Sequence, residues 1–199
     1  MTPPDAMVYL ASQSPRRQEL LQQIGVRYAL LPVNVDETPL ADESAEDHVQ
    51  RLALAKAHAG WSSLGEHGHL PVIGADTVVI ANETIMGKPR DRRQAIEMLL
   101  ALSASTHRVL TAVALVAERS LVRLNVSRVT FRTLSLPECE AYWDTGEPAD
   151  KAGAYAIQGL GAAFIVRLEG SYSGVMGLPL FETAELLQAS GIRLLGKPV

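Results

Sequence analysis

PVIGADTVVIANETIMGKPRD, residues 71–91, is the stretch on which the reading of this chain turns. It begins as an apolar run in which Val72, Ile73, Val78, Val79 and Ile80 all favour β-structure, so the pattern predicts a buried strand. Asp76 nevertheless stands in its middle. An ionised carboxylate among aliphatic neighbours has to be paired, hydrogen-bonded or metal-bound, or it must shift its pKa, because an isolated charge is costly to desolvate. Gly74, two residues earlier, predicts a bulge or a close backbone approach. A short return strand through Ile85 leads to Gly87, Lys88, Pro89 and Arg90, a cationic turn ahead of a helix. One reading has a carboxylate and a cation facing a common site. The other has a structural aspartate satisfied by turn amides, beside a solvated basic loop.

Working outward towards the N-terminus, residues 7–11 read as a buried strand that stops at Ser12-Gln13-Ser14-Pro15-Arg16-Arg17. Ser14 is a suitable N-cap and Pro15 suits the first helical position. Leu20, Leu21 and Ile24 mark the inner face, and Gly25 ends the helix. Arg16 and Arg17 therefore fall in the first turn, where the helix dipole is already positive and a cation is disfavoured. A strand, a hydroxyl-rich turn and a helix start bearing two arginines fit a phosphate site; two surface arginines paired with acids elsewhere are the alternative.

A second strand is expected over 26–33, followed by a polar break, 34–39, in which Asp36 and Glu37 are adjacent. Adjacent loop acids are commonly just solvated, but a hard cation such as Mg²⁺ also takes one or two carboxylates, with waters and phosphate oxygens filling the other positions. Ser44 opens the next helix with Asp47 at capping-box spacing, and Val49, Leu52 and Ala53 share a face. Lys56 borders that face, from which it either reaches a cleft or snorkels to solvent. His58, His67 and His69 follow around a glycine-containing loop, where His67 and His69 could hold a metal or belong to an exposed linker.

Downstream, Asp91 with Gln94 caps a helix that buries Ile96, Leu99, Leu100 and Leu102. Residues 107–116 and 121–131 read as the arms of a hairpin. Ser135 with Glu138 starts a helix that ends at Gly146 and carries Cys139 as a residue without chemistry. The following stretch, 147–161, is rich in small residues, with Asp150, Lys151, Tyr155 and Gln158 as polar members, and suits close backbone approach to a ligand. Gln158 can read the donor and acceptor edge of a planar base, or simply bond to backbone. A strand over 163–168, a turn over 170–174 and a helix from Pro179 to Gly191 complete the chain.

Composition narrows the classes. At 199 residues, the chain fits one large domain or two small lobes, and 47% hydrophobic with 20% charged residues is ordinary for a globular fold. The net charge of −4 supplies no global basic field for a nucleic-acid polymer, so any anion must be held by local groups. A single cysteine excludes an internal disulfide and a multi-cysteine zinc site. With no signal-peptide pattern over 1–15 and no apolar run of membrane-spanning length, a soluble cytoplasmic protein is expected.

LASQSPRR (10–17), VDE (35–37), RLALAKA (51–57), GADTVV (74–79), GKP (87–89), DKAGAYAIQG (150–159) and GSYSGVMGLPL (170–180) follow one another along nearly the whole chain. In these motifs and their order it resembles the Maf family of nucleoside triphosphate pyrophosphatases. The resemblance implies one Maf-type domain over 7–191. Its fold would be α/β, a mixed twisted sheet with flanking helices forming two lobes around a nucleotide cleft, as in the inosine triphosphatases. It also implies Mg²⁺- or Mn²⁺-assisted cleavage of the α–β phosphoanhydride, and a homodimer. By position, Asp76 resembles the family's proton acceptor; Arg17, Lys56 and Lys88 resemble its triphosphate ligands; Ser12 and Ser14 lie in the matching phosphate turn. Glu37 resembles the metal-holding acid, with Asp76 sharing the ion. Arg16, Thr77 and Gln158 resemble the specificity set of the dTTP/UTP group. The group acting on 7-methyl-GTP tends to have a bulky apolar residue, Gln and Glu at those places. Gln13 departs from the glycine frequent in the family's turn. Two other functions compete: the same chemistry on another base, such as 7-methyl-GTP, and a non-catalytic nucleotide-binding regulator of cell division. The second is disfavoured because a pure binder needs no base.

Overall fold

A computed structural model describes residues 5–65 and 70–194. Among them a seven-stranded sheet has the order β2-β1-β3-β5-β6-β7, with β4 paired to β3. The chain runs β1 (Val8–Leu10), α1 (Pro15–Gln23), β2 (Tyr28–Leu30), α2 (Ala45–Ser63), β3 (Val72–Ala81), β4 (Thr84–Met86) and α3 (Arg92–Leu102). It continues through β5 (Thr106–Val116), β6 (Ser120–Phe131), α4 (Leu136–Asp144), β7 (Ile165–Glu169), α5 (Tyr172–Met176) and α6 (Leu180–Ala189). The sheet is mixed: β1 lies parallel to β2 and β3, whereas β3–β4 and β6–β7 are antiparallel. Helices flank it, giving the expected α/β class. No described helix is long and apolar enough to cross a membrane.

Two compact units divide the chain. The described residues of the first fall within Met1–Asp76, Thr111–Asn125 and Gly177–Val199, and those of the second within Thr77–Leu110 and Val126–Met176. In the first, Val8, Leu10, Leu20, Leu21, Leu52 and Ile73 are buried. In the second, α3 and α4 contribute Leu99, Leu102, Cys139 and Tyr142 to a core with Val79, Phe131, Tyr155 and Phe164. His107 is buried in this second core. Its ring meets Phe131 edge to face at 5.0 Å, and its Nε2 is 2.9 Å from the Tyr155 hydroxyl.

Several boundaries differ from the expectations, each for a local reason. The second strand is confined to Tyr28–Leu30, because pairing with the three-residue β1 offers no longer ladder. The turn expected over 170–174 gives way to α5, started by the Ser171 hydroxyl accepting from the Gly174 amide. The strand expected from 163 begins only at Ile165, after a 3₁₀ segment over Leu160–Phe164. Leu100 is exposed, since it lies a hundred degrees or so around α3 from the buried Leu99. His58 lies inside α2, with its Nε2 3.0 Å from the Ser120 hydroxyl, while His67 and His69 fall outside the described residues.

Candidate active site

Residues two apart on a strand share a face, so Val72, Gly74 and Asp76 of β3 point the same way. That face packs on α2 at backbone distance. A Cβ built on Gly74 would lie 2.6 Å from the Ala57 amide nitrogen and against the Ala53 carbonyl, and one on Gly60 would meet Val72. Gly74 therefore serves the close approach its sequence position suggests. Ala53 and Ala57 flank Lys56 on the helix, and the small-residue contact brings this lysine to Asp76, two residues along the same strand face. Lys56 Nζ donates to Asp76 Oδ1 at 2.7 Å and to Glu37 Oε1 at 2.6 Å. The side chains of Lys56 and Asp76 are 13% and 10% exposed and that of Glu37 is 61% exposed, so the lysine does not snorkel but links a buried carboxylate to a solvent-facing one. Such desolvated charges persist only when paired, which explains how an aspartate survives inside an apolar strand.

Arg17 belongs to the same group. Its Nε donates to the Gly177 carbonyl at 2.8 Å and its Nη1 to the Ser12 hydroxyl at 3.2 Å, and Ser12 Oγ also accepts from the Ser14 amide. Burial lowers the pKa of this guanidinium; the nearby charges of Asp76 and Glu37 work the other way, and Arg16 adds to the lowering. Arginine remains charged regardless. Ser14 takes the N-cap position with extended backbone, but its hydroxyl makes no capping bond, a departure from the expected cap. Here Ser12, two residues earlier, takes the Ser14 amide instead. Arg16 is half-buried beside Arg17.

The loop bearing Glu37 is fixed by residues to which the sequence reading gave no role. Arg51, on α2, grips Glu43 through Nε at 2.5 Å and Nη2 at 2.8 Å, and donates from Nη2 to the Thr38 carbonyl. Glu43 Oε2 also accepts from the Leu40 amide and lies 3.0 Å from His48 Nδ1. Arg51 holds the Glu43 carboxyl down at about 2, so the clamp stays ionised through mild acid. Because Arg51 and Lys56 share one helix, the loop residue next to Glu37 and the lysine it meets are referred to one rigid element. The available signal was Arg51 in RLALAKA, a cation five residues before Lys56. Gly177 acts through its carbonyl alone, which no side-chain pattern reveals.

In the second unit, Thr77 continues β3 directly after Asp76 and is half-buried. Lys88 follows β4 on an exposed turn, and Gln158 is exposed in the loop 147–161. The Gly153 amide donates to the Gly87 carbonyl at 3.1 Å, tying that loop to the residue before Lys88. Gly153 has φ 69° and packs against Val79, so it meets both a left-handed backbone and a close contact. The structure thus gathers Ser12, Arg17, Glu37, Lys56 and Asp76 within the first unit, and ties the Gln158 loop to the Lys88 turn within the second.

Among the described residues no group of three or more His, Cys, Asp or Glu side chains forms a metal cage. The donor chemistry of Glu37 and Asp76 nevertheless fits Mg²⁺ or Mn²⁺. Their oxygens converge on one cation, the Lys56 ammonium, and such ions commonly use one or two carboxylates, completing their shell with water and phosphate.

Residues 7–190 match the family described as Maf-like protein. The sequence is 60% identical to the dTTP/UTP pyrophosphatase of Alkalilimnicola ehrlichii over 90% of this chain and 91% of that one. It is 50% identical to the dTTP/UTP pyrophosphatase of Nitrosomonas europaea over 96% of this chain and 98% of that one. Among solved structures, the nucleoside-triphosphatase (dITP/XTP pyrophosphatase) from Mycobacterium abscessus is similar with a TM-score of 0.44 and 21% identity, covering 62% of this chain and 73% of that one.

Proposed function

The chain belongs to the Maf-like family, and on that premise we propose that it hydrolyses the α–β phosphoanhydride of dTTP and UTP, releasing the nucleoside monophosphate and pyrophosphate. The observation that carries this reading is the convergence of Asp76 and Glu37 on Lys56 beside Arg17. Phosphoryl transfer asks for positioning and charge neutralisation more than for covalent help, and this group supplies a base, cations and hard oxygen donors.

Asp76 acts as the general base. Lys56 holds its Oδ1, and Oδ2 takes a proton from water as the water oxygen bonds to the α-phosphorus and the bridging oxygen leaves with pyrophosphate. Arg17, anchored by Gly177 and Ser12, and Lys56 neutralise the triphosphate, with Lys88 as a third cation and Ser12 and Ser14 lining the phosphate turn. Glu37 and Asp76 would hold a divalent cation, which supplies Lewis-acid stabilisation of the phosphate charge when bound. Arg16, Thr77 and Gln158 set the base preference. The Gln158 amide offers one acceptor and one donor group, complementary to the N3–H and a carbonyl of uracil or thymine.

Pyrophosphate and monophosphate release, measured over dTTP, UTP, CTP and 7-methyl-GTP with Mg²⁺ or Mn²⁺, tests the proposal. Highest kcat/KM for dTTP and UTP is expected; a purine preference overturns the base assignment, and failure to release pyrophosphate overturns the activity. Replacing Arg17 or Lys88 by Ala should weaken triphosphates far more than the matching monophosphates. Equal weakening of both would remove these residues from the triphosphate grip.

A further inference from the structure

The loop 147–161 is wrapped around a single carboxylate that the proposed chemistry does not use. Glu147 Oε1 accepts the Tyr142 hydroxyl at 2.6 Å and the Gly161 amide at 3.1 Å, and Oε2 accepts the Leu160 amide at 2.9 Å. The Tyr142 oxygen in turn accepts the Ala156 amide at 3.1 Å. Gln158 therefore stands between backbone groups held on one side by Tyr142 and on the other by Glu147. The Gly159 amide closes the turn on the Ala156 carbonyl at 3.2 Å. The glycines are there because the clamp fills their space. A Cβ at Gly159 would run into the Glu147 carboxylate, and one at Gly161 would lie 2.7 Å from the Tyr142 oxygen.

The charge states fit a permanent clamp. Burial by itself would raise the Glu147 carboxyl, but the Tyr142 hydroxyl and the Leu160 and Gly161 amides outweigh it and hold it below the usual carboxylate range. Burial, then the bond to Glu147, pushes the Tyr142 hydroxyl up, so it remains a donor. A glycine-rich loop has more conformations to lose than any other, and a reader that discriminates bases through one amide needs its frame fixed before the ligand arrives.

We infer that Glu147 and Tyr142 are positioning residues that hold Gln158 in its base-reading place, an inference that rests on Gln158 being the base contact. The decisive variants are Tyr142→Phe, which keeps the ring against Phe164 at 4.9 Å while removing the hydroxyl, and Glu147→Gln, which keeps one acceptor oxygen. Two ligands are compared by their inhibition or Michaelis constants: UTP, and inorganic tripolyphosphate as a probe without a base. Tyr142→Phe should weaken UTP about tenfold, the loss of one or two buried hydrogen bonds, and leave tripolyphosphate within about twofold. Glu147→Gln should fall in between, and hydrogen exchange at the Leu160 and Gly161 amides should quicken in both. Unchanged UTP binding, or equal weakening of UTP and tripolyphosphate, overturns the positioning role. A separate arm tests the underlying reading. If Gln158→Ala leaves the ranking of UTP against GTP untouched in an otherwise wild-type chain, Gln158 is not the base contact, and the inference falls with it.

Discussion

Asp76 lies in a ten-residue strand in which every other residue except Thr77 is buried, whereas Gln158 is exposed in a loop punctuated by glycines. The strand ladder fixes the carboxylate's backbone, and one partner, Lys56, is enough to aim the side chain. The loop has no ladder, so around Gln158 its shape rests on the Glu147 and Tyr142 bonds together with the turn bond from the Gly159 amide to the Ala156 carbonyl. The Glu37 loop is built like the Gln158 loop, with Glu43 and Arg51 in the clamping role. The carboxylate of Asp76 is held by regular structure, whereas each of the two loops is held by a partly buried glutamate that gathers loop groups onto itself, backbone amides for Glu147 and the Leu40 amide with Arg51 for Glu43.

The largest expected effect breaks the strand side of this contrast at Asp76, the base proposed above. Asp76→Asn should lower turnover about 10²–10⁴-fold while nucleotide binding persists, because the amide keeps the shape and removes the base. Near wild-type single-turnover rates at saturating metal would sink the role of Asp76.

Next in size is a pH effect on the loop side. Burial lowers the pKa of His107, the partner of Tyr155, to about 4 from an unfolded value of 6.5, and its Nδ1 has no hydrogen-bond partner among the described residues. The native state then binds fewer protons than the unfolded chain between those values. His107's contribution is complete above pH 6.5 and is lost as the pH falls towards 4, amounting to about 3 kcal/mol over the window. Denaturant unfolding of wild type and His107→Gln at several pH values checks this; parallel pH profiles would show that His107 is not the source.

Gly74→Ala sharpens the account of the strand. The added methyl meets the Ala53 and Ala57 backbone and should cost about 1–3 kcal/mol of stability. It should also lower kcat without altering the ranking of bases, because the α2–β3 spacing sets the Lys56–Asp76 pair. An altered ranking at unchanged kcat would contradict that division of labour.

The smallest effect is expected from Arg51→Lys, which retains charge but loses the two-pronged hold on Glu43. If Glu37 holds the metal as proposed, the Mn²⁺ concentration needed for half-maximal activity should rise about tenfold, with the melting temperature little changed. Calorimetric Mn²⁺ binding without substrate provides the independent reading, and unchanged affinity there would detach Arg51 from Glu37.

The sequence by itself determined the elements with strong local signals. The buried strand around Asp76 follows from its β-branched run, α3 from the Asp91 cap whose side chain accepts the Gln94 amide, and the long β5–β6 pair from two extended apolar segments. It also marked Asp76 as a charge in need of a partner and Gly74 as the place of a bulge or a close approach, because a burial cost and a missing Cβ are properties of single residues. It did not reveal the partner. Lys88 and Arg90 were the cations nearest in sequence, yet the ion pair is with Lys56, twenty residues before Asp76, because backbone contact between α2 and β3 is a tertiary fact. The clamps were hidden for the same reason. Glu43, Arg51, Glu147 and Tyr142 look like ordinary surface or helix residues in one dimension, and their roles exist only once loop amides and carbonyls fold back onto them.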